Sequence, residues 1–297
     1  MTSPLPLRHL ALALLVITIW GSNFVVIKES LAQFPPLLFA ALRFVFALLP
    51  AIFFLKRPDV PFKLLAAYGL FIGVGQFGLL YYAMQSQISP GLASVVMQSQ
   101  AFFTIFLSMW IERERVQPIQ GVAFLFAVAG IGIIAAHTDT TTTGLGLVIA
   151  LVAAMSWSIG NVVARQSGRI NMLAYVVWAS LFSAPPLLVL SLVFEGPTRV
   201  ADAVTHADIY GWAGVLWQAY GNTLVGYVAW GWLLARHPAA TIAPTALLVP
   251  IVGLASAVWW LNEPLPFWKI AATALVVGGV ALNTLWPRIF RRTGSST

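Results

Sequence analysis

Ten stretches of nearly continuous apolar residues alternate with short polar breaks along the chain, at residues 9–28, 36–55, 64–83, 90–111, 119–136, 145–165, 172–194, 210–234, 239–261 and 268–287. Each is close to the roughly 20 residues that a helix needs to cross a hydrocarbon core. The breaks carry helix-stopping punctuation: Phe34-Pro35-Pro36, Arg57-Pro58, Ser89-Pro90-Gly91, Gln117-Pro118, His237-Pro238 and Glu263-Pro264. Polar residues inside the stretches recur at three- and four-residue spacing, as on one face of a helix. The pattern predicts an all-α integral membrane protein of ten transmembrane helices. One connection, near 195–209, is long enough to hold extra structure.

Composition sharpens this picture. Apolar residues make up 60% of the 297 and charged ones only 8%, against about a quarter charged in soluble domains. A soluble enzyme is excluded, and so is an extended nucleic-acid binder, although the net charge is +7. Topology accounts for that charge. Arg8, Lys56, Arg57, Lys63, Arg113, Arg115, Arg165, Arg169, Arg236, Arg288, Arg291 and Arg292 fall on the side of the N-terminus. Lys28, Arg199 and Lys269 fall opposite, and Arg43 lies within the second stretch. Positive loops stay in the cytoplasm, so both termini are expected there. The first stretch runs apolar from Leu10 to Ile27 without a cleavage site, as a retained helix would. The absence of cysteine removes disulfides and thiolate chemistry.

The halves echo each other, dividing the chain into repeats at 1–139 and 140–297. Trp20 and Asn23 in stretch 1 answer Trp157 and Asn161 in stretch 6. Pro50 answers Pro185, Pro90 answers Pro238, and Glu112 answers Glu263, always in the same order. Five helices is an odd number, so the copies must be inverted. Inverted repeats are the signature of secondary transporters, with a substrate cavity at their interface near mid-membrane.

Polar groups at membrane depth are costly unless paired or facing a wet cavity. Stretch 4 carries Ser94, Gln98, Gln100 and Thr104; stretch 8 carries Gln218, Asn222 and Tyr227; stretch 3 carries Gln76 and Tyr82. Stretches 5 and 10 offer almost nothing polar. A cavity walled by stretches 1, 3, 4, 6, 8 and 9 is therefore expected. Gln98, Gln218 and Asn222 are the leading substrate-binding candidates, followed by Gln76, Tyr82, Gln100 and Tyr227. A neutral amide lining meets both ends of a zwitterion without burying a fixed charge. Small zwitterionic metabolites are the expected cargo, taken with broad specificity.

Asn23 and Asn161 occupy matching positions and are expected to join helices. Arg43 could meet a substrate carboxylate, but is read as structural, and Glu112 and Glu263 as helix-end devices. Pro244 and Pro250 are candidate hinges. No Asp or Glu lies securely inside a stretch, and His9, His137, His206 and His237 sit at ends or in loops. A facilitator or exchanger is expected rather than a proton-coupled pump. No Walker loop, cofactor motif or metal-ligand set appears. An intramembrane enzyme acting on lipid or peptide would need a nucleophile with a base, or metal ligands, at one depth, and none is present.

Five runs carry a resemblance: Ile19-Trp-Gly-Ser-Asn-Phe-Val-Val-Ile-Lys28, Leu42-Arg-Phe44, Pro90-Gly-Leu-Ala-Ser94, Gln98-Ser-Gln-Ala-Phe-Phe-Thr104 and Ala243-Pro-Thr-Ala-Leu-Leu-Val-Pro250. They resemble the drug/metabolite transporter superfamily, EamA type, in its ten-helix order. The pattern is most similar to exporters of O-acetylserine and cysteine, sharing also Ser156-Trp157, Gly160-Asn161 and Gly226-Tyr227, and more distantly to aromatic amino-acid exporters. The resemblance implies a bacterial inner-membrane exporter of amino acids and related metabolites, working by alternating access. It also places Arg43 in a widespread Arg-Phe pattern with a fold role. Ile111 stands before Glu112 where the family often has glycine.

Overall fold

A computed structural model describes residues 5–112, 117–168 and 170–290. Ten long helical stretches follow one another among these residues: α1 (Leu7–Ser30), α2 (Pro36–Leu48), α3 (Phe62–Ser86), α4 (Pro90–Ile111), α5 (Pro118–Ala136), α6 (Gly144–Gln166), α7 (Met172–Phe194), α8 (209–236), α9 (239–261) and α10 (Phe267–Phe290). The long connection before α8 folds into a short helix, Pro197–His206. Nine of the stretches are long and apolar enough to cross a membrane. The tenth, α8, is long enough but carries Gln218, Tyr220, Asn222 and Thr223 in its middle, which lowers its apolarity. The face on which α1 begins is termed inner, the opposite face outer.

Between polymer ends that would otherwise leave amides bare, the chain supplies caps. Thr143, Asn171 and Asp208 cap α6, α7 and α8 from their own N-termini, the usual role of such side chains. Helices α2 and α4 begin with proline and have no cap of their own. Carboxylates from elsewhere serve them. Glu195 accepts from the amides of Leu37 and Leu38 at 2.7 and 3.1 Å, while Ser191 Oγ donates to it. Glu263 accepts from Gly91 N at 3.0 Å and from Ser89 Oγ at 2.6 Å, and pairs with the buried Lys269 at 2.8 Å. Each capping carboxylate favours the positive end of its helix.

Helix contact in lipid relies on close approach, because lipid tails are as apolar as leucine. A Cβ on Gly21 would stand 2.6 Å from Val252, and one on Gly253 would stand 2.7 Å from Ser94. These glycines let α9 press against α1 and α4. Gly73 likewise admits Ser183, whose hydroxyl donates to Gly69 O at 2.8 Å. The main contacts pair α3 with α6, α5 with α10, α1 with α9, α4 with α6, α2 with α7, α3 with α7, α1 with α8, α4 with α9 and α2 with α8. Large apolar side chains such as Trp110, Leu125, Val193 and Trp259 stay exposed on the exterior. An exterior of this kind suits a lipid surroundings.

Four helices depart from α geometry near their centres. Helices α3 and α8 contain π-helical segments of equal length, Leu70–Gly78 and Trp217–Val225. Helices α4 and α9 tighten into 3-10 turns at Met97–Ser99 and Ala243–Leu248. Such irregular turns free backbone groups and re-aim side chains, and they gather at functional sites.

Candidate functional site

The irregular segments converge on one cavity of about 230 Å³ at the centre of the bundle. Trp20, Asn23, Phe24 and Ile27 of α1 line it, with Ile72, Gln76, Phe77 and Leu80 of α3 and Met97, Gln98 and Gln100 of α4. Trp157 of α6, Asn222 and Tyr227 of α8, and Ala246 and Val249 of α9 complete the wall, together with Arg43 of α2. The helices are those that polarity singled out, with α2 added through a single side chain. Helices α5 and α10 contribute nothing to the lining and pack on each other.

The amides divide into two groups. Gln76, Gln98 and Asn222 make no side-chain hydrogen bond to any described residue, and none of their polar atoms is sealed from the cavity. All three sit on the irregular turns: Gln76 and Asn222 on the π segments, Gln98 on the 3-10 turn. The other amides are engaged. Asn161 Nδ2 donates to Gln100 Oε1 at 3.0 Å, joining α6 to α4. Gln218 Nε2 donates to Asn23 Oδ1 at 2.8 Å, joining α8 to α1.

Gln218, 0% exposed, is the hub of a buried network and stands behind the cavity wall rather than in it. Its Oε1 accepts from Arg43 Nη1 and from Tyr81 Oη, both at 3.1 Å. Arg43 Nη1 also donates to Tyr81 Oη at 2.9 Å, and Nη2 to Thr223 Oγ1 at 3.1 Å. Its guanidinium lies 3.7 Å from the centre of the Phe77 ring, a favourable cation–π contact. Thr223 in turn donates to Gln218 O at 2.8 Å, and Trp20 Nε1 to Asn222 O at 3.2 Å. Both carbonyls lie within the π segment of α8, where the normal helical bonding is broken.

The remaining sequence candidates are dispersed. Tyr227 reaches the cavity and lies against Tyr68. Tyr82 is 50% exposed on the exterior and does not line the cavity. Pro244 falls in the 3-10 turn of α9, and Pro250 follows it, its carbonyl accepting from Ser94 Oγ at 3.3 Å. Glu263 sits at the outer end of α4 as described, and the side chain of Glu112 lies outside the described residues. Sequence reading missed the cap by Glu195, the place of Trp20 and Trp157 in the cavity wall, and the clasp of Lys28. That clasp runs from Nζ to the carbonyls of Met84 and Gln85, at 3.2 and 2.9 Å. The matched spacing of Trp20 and Trp157 in the two halves was a usable signal; for Glu195 and Lys28 no local pattern existed. Among the described residues, no group of three His, Cys, Asp or Glu is placed to hold a metal ion.

Comparison with known proteins gives consistent likenesses. The model of the EamA-like transporter family matches residues 7–136 and again residues 144–285. A probable amino-acid metabolite efflux pump of Salmonella typhimurium is 40% identical, over 94% of this chain and 96% of that protein. A protein of the same description from Escherichia coli is 38% identical, over 92% and 93%. One solved crystal structure superposes with a TM-score of 0.64 at 19% identity, covering 95% of this chain and 98% of the other. That last likeness concerns the fold alone.

Proposed function

The chain belongs to the EamA-like transporter family, and on that premise we propose that it exports amino acids and related small metabolites across a bacterial inner membrane. The reading is carried by three unpartnered amides, Gln76, Gln98 and Asn222, facing one central cavity from irregular turns on three different helices. Amides offer donors and acceptors together, so they meet an ammonium or a carboxylate equally well. A volume of about 230 Å³ is below the roughly 300–1,000 Å³ of drug-sized sites, and suits a metabolite of amino-acid size. The Salmonella and Escherichia coli relatives, probable amino-acid metabolite efflux pumps, agree with this cargo.

The mechanism is alternating access between two inverted five-helix repeats, 1–139 and 140–297, with α8 as a tenth span. Three observations support the repeat. The family model matches once in each half. The π segments of α3 and α8 and the 3-10 turns of α4 and α9 occupy corresponding helices. The pairings are also exchanged among themselves when α1–α5 are swapped for α6–α10: α1 with α9 becomes α6 with α4, and α3 with α7 becomes α8 with α2. The excess of Lys and Arg on the inner face supports a cytoplasmic position for it.

No carboxylate or histidine lines the cavity among the described residues. This lining supports reading the protein as a facilitator or exchanger, and membership of a transporter family supports a transport role. Counterflow in proteoliposomes tests this. Vesicles loaded with unlabelled amino acid should accumulate labelled methionine, threonine or O-acetylserine transiently, with no proton gradient imposed. Accumulation that required such a gradient would refute the facilitator reading, and none at all from folded protein would refute the export reading.

A further inference from the structure

Arg43 is held more elaborately than a helix-joining group requires. It is 3% exposed, it borders the cavity, and among the described residues it is the single charged one in that lining. Its hydrogen-bond acceptors, Tyr81, Gln218 and Thr223, are all neutral, and among the described residues no carboxylate pairs with it. A cation withdrawn from water without a counter-ion is unfavourable, so buried charges are ordinarily paired.

The hydrogen-bond inventory localises what is missing. A guanidinium has five N–H donors. Three bonds are made, two from Nη1 and one from Nη2, whereas Nε is buried and has no partner. Nε and Nη2 form one edge of the planar fork. The spacing of two parallel N–H groups on such an edge matches the two oxygens of a carboxylate.

We propose that Arg43 reads the carboxylate of the transported molecule, so that a free carboxylate is the entry requirement of this cavity. Nε is enclosed in this conformation, and the Nε–Nη2 edge meets the carboxylate as the cavity opens in the transport cycle. This rests on the export reading and names the substrate feature that the site selects. The surrounding network orients the guanidinium: Asn23 holds the Gln218 amide so that Oε1 faces Nη1, and the Phe77 ring fixes the plane. The unpartnered amides of Gln76, Gln98 and Asn222 receive the ammonium and polar side-chain groups. Variation in the rest of the cargo is tolerated, and variation at the carboxylate is not.

The test uses the full-length protein in liposomes. Whichever of labelled methionine, threonine and O-acetylserine shows the strongest counterflow is competed with its own unlabelled form, its carboxamide and its decarboxylated amine. The carboxamide and amine should compete about tenfold or more weakly, as expected when a bidentate charged contact is lost. Arg43→Lys keeps the charge without the fork and should narrow that gap. The competition series on the unaltered protein decides the matter even if the variant does not fold. Competition by the carboxamide within about twofold of the parent, with counterflow intact, would overturn the carboxylate assignment and leave export standing. Absence of counterflow for every amino acid tried would overturn the export reading and this inference with it.

Discussion

Arg43 Nη1 donates to Gln218 Oε1 at 3.1 Å, across a separation of 175 residues. This contact ties α2 to α8 behind the cavity, and it assigns Gln218 a different burden from Gln98. Removing the Gln218 amide strips a buried guanidinium of an acceptor and Asn23 of its partner. Leaving buried polar groups unsatisfied costs about 1–3 kcal/mol. Gln218→Ala should therefore lower the thermal unfolding temperature in detergent. Gln98→Ala, which breaks no hydrogen bond within the protein, should stay within about 0.5 kcal/mol of the unaltered chain while slowing counterflow. Equal stability loss in the two variants would contradict this division.

The buried pair of Glu263 and Lys269 gives a second expectation. Lys269→Met leaves the Glu263 carboxylate without its counter-charge in a site where both side chains are almost fully enclosed. Removing one member of such a pair costs about 3–5 kcal/mol. Adding Glu263→Gln should recover part of that loss, since the amide oxygen can still accept from Gly91 N while its NH2 donates to Ser89 Oγ, a hydroxyl that accepts as well as it donates. A thermal-unfolding double-mutant cycle that came out additive would mean that the pair is not coupled.

Acid sensitivity at the outer face is expected from Asp208. Its carboxylate accepts from the Gly211 and Tyr210 amides and from Gln33, and these bonds hold its pKa below the ordinary 3.8. A lowered folded-state value means that the stabilisation is present above the unfolded value and disappears as pH falls through the folded one. Asp208→Ala should therefore destabilise the protein at neutral pH. The gap between variant and parent should close as the pH drops below about 4. A gap independent of pH would point to lost packing instead of a lost charged cap.

Much of the fold is legible in the sequence because membrane helices announce themselves by uninterrupted apolar length. The stretch at 210–234 is the instructive case. Its polar middle blurs the apolar signal, and that same middle holds Asn222 in the cavity wall and Gln218 and Thr223 in the buried network behind it. The site is legible as residue types: amides at depth in α3, α4 and α8. It is not legible as a division of labour. Gln218 and Gln98 look alike along the chain, and only the approach of Asn23, 195 residues away, ties the first into a buried network. The π segments are equally hidden, since a bonding register set by packing against neighbouring helices leaves no mark in local composition. Tyr82 shows the reverse: near Tyr81 in sequence, it faces outward because adjacent residues on a helix point about 100° apart.

On the proposed function, cargo passes through the cavity lined by the three free amides. Counterflow of a labelled amino acid by the unaltered protein, set beside Gln98→Ala combined with Asn222→Ala, tests it most directly. The double variant should unfold at a temperature close to that of the parent, with counterflow reduced by about tenfold or more. A stable double variant that exchanges amino acids at the parent's rate would contradict it.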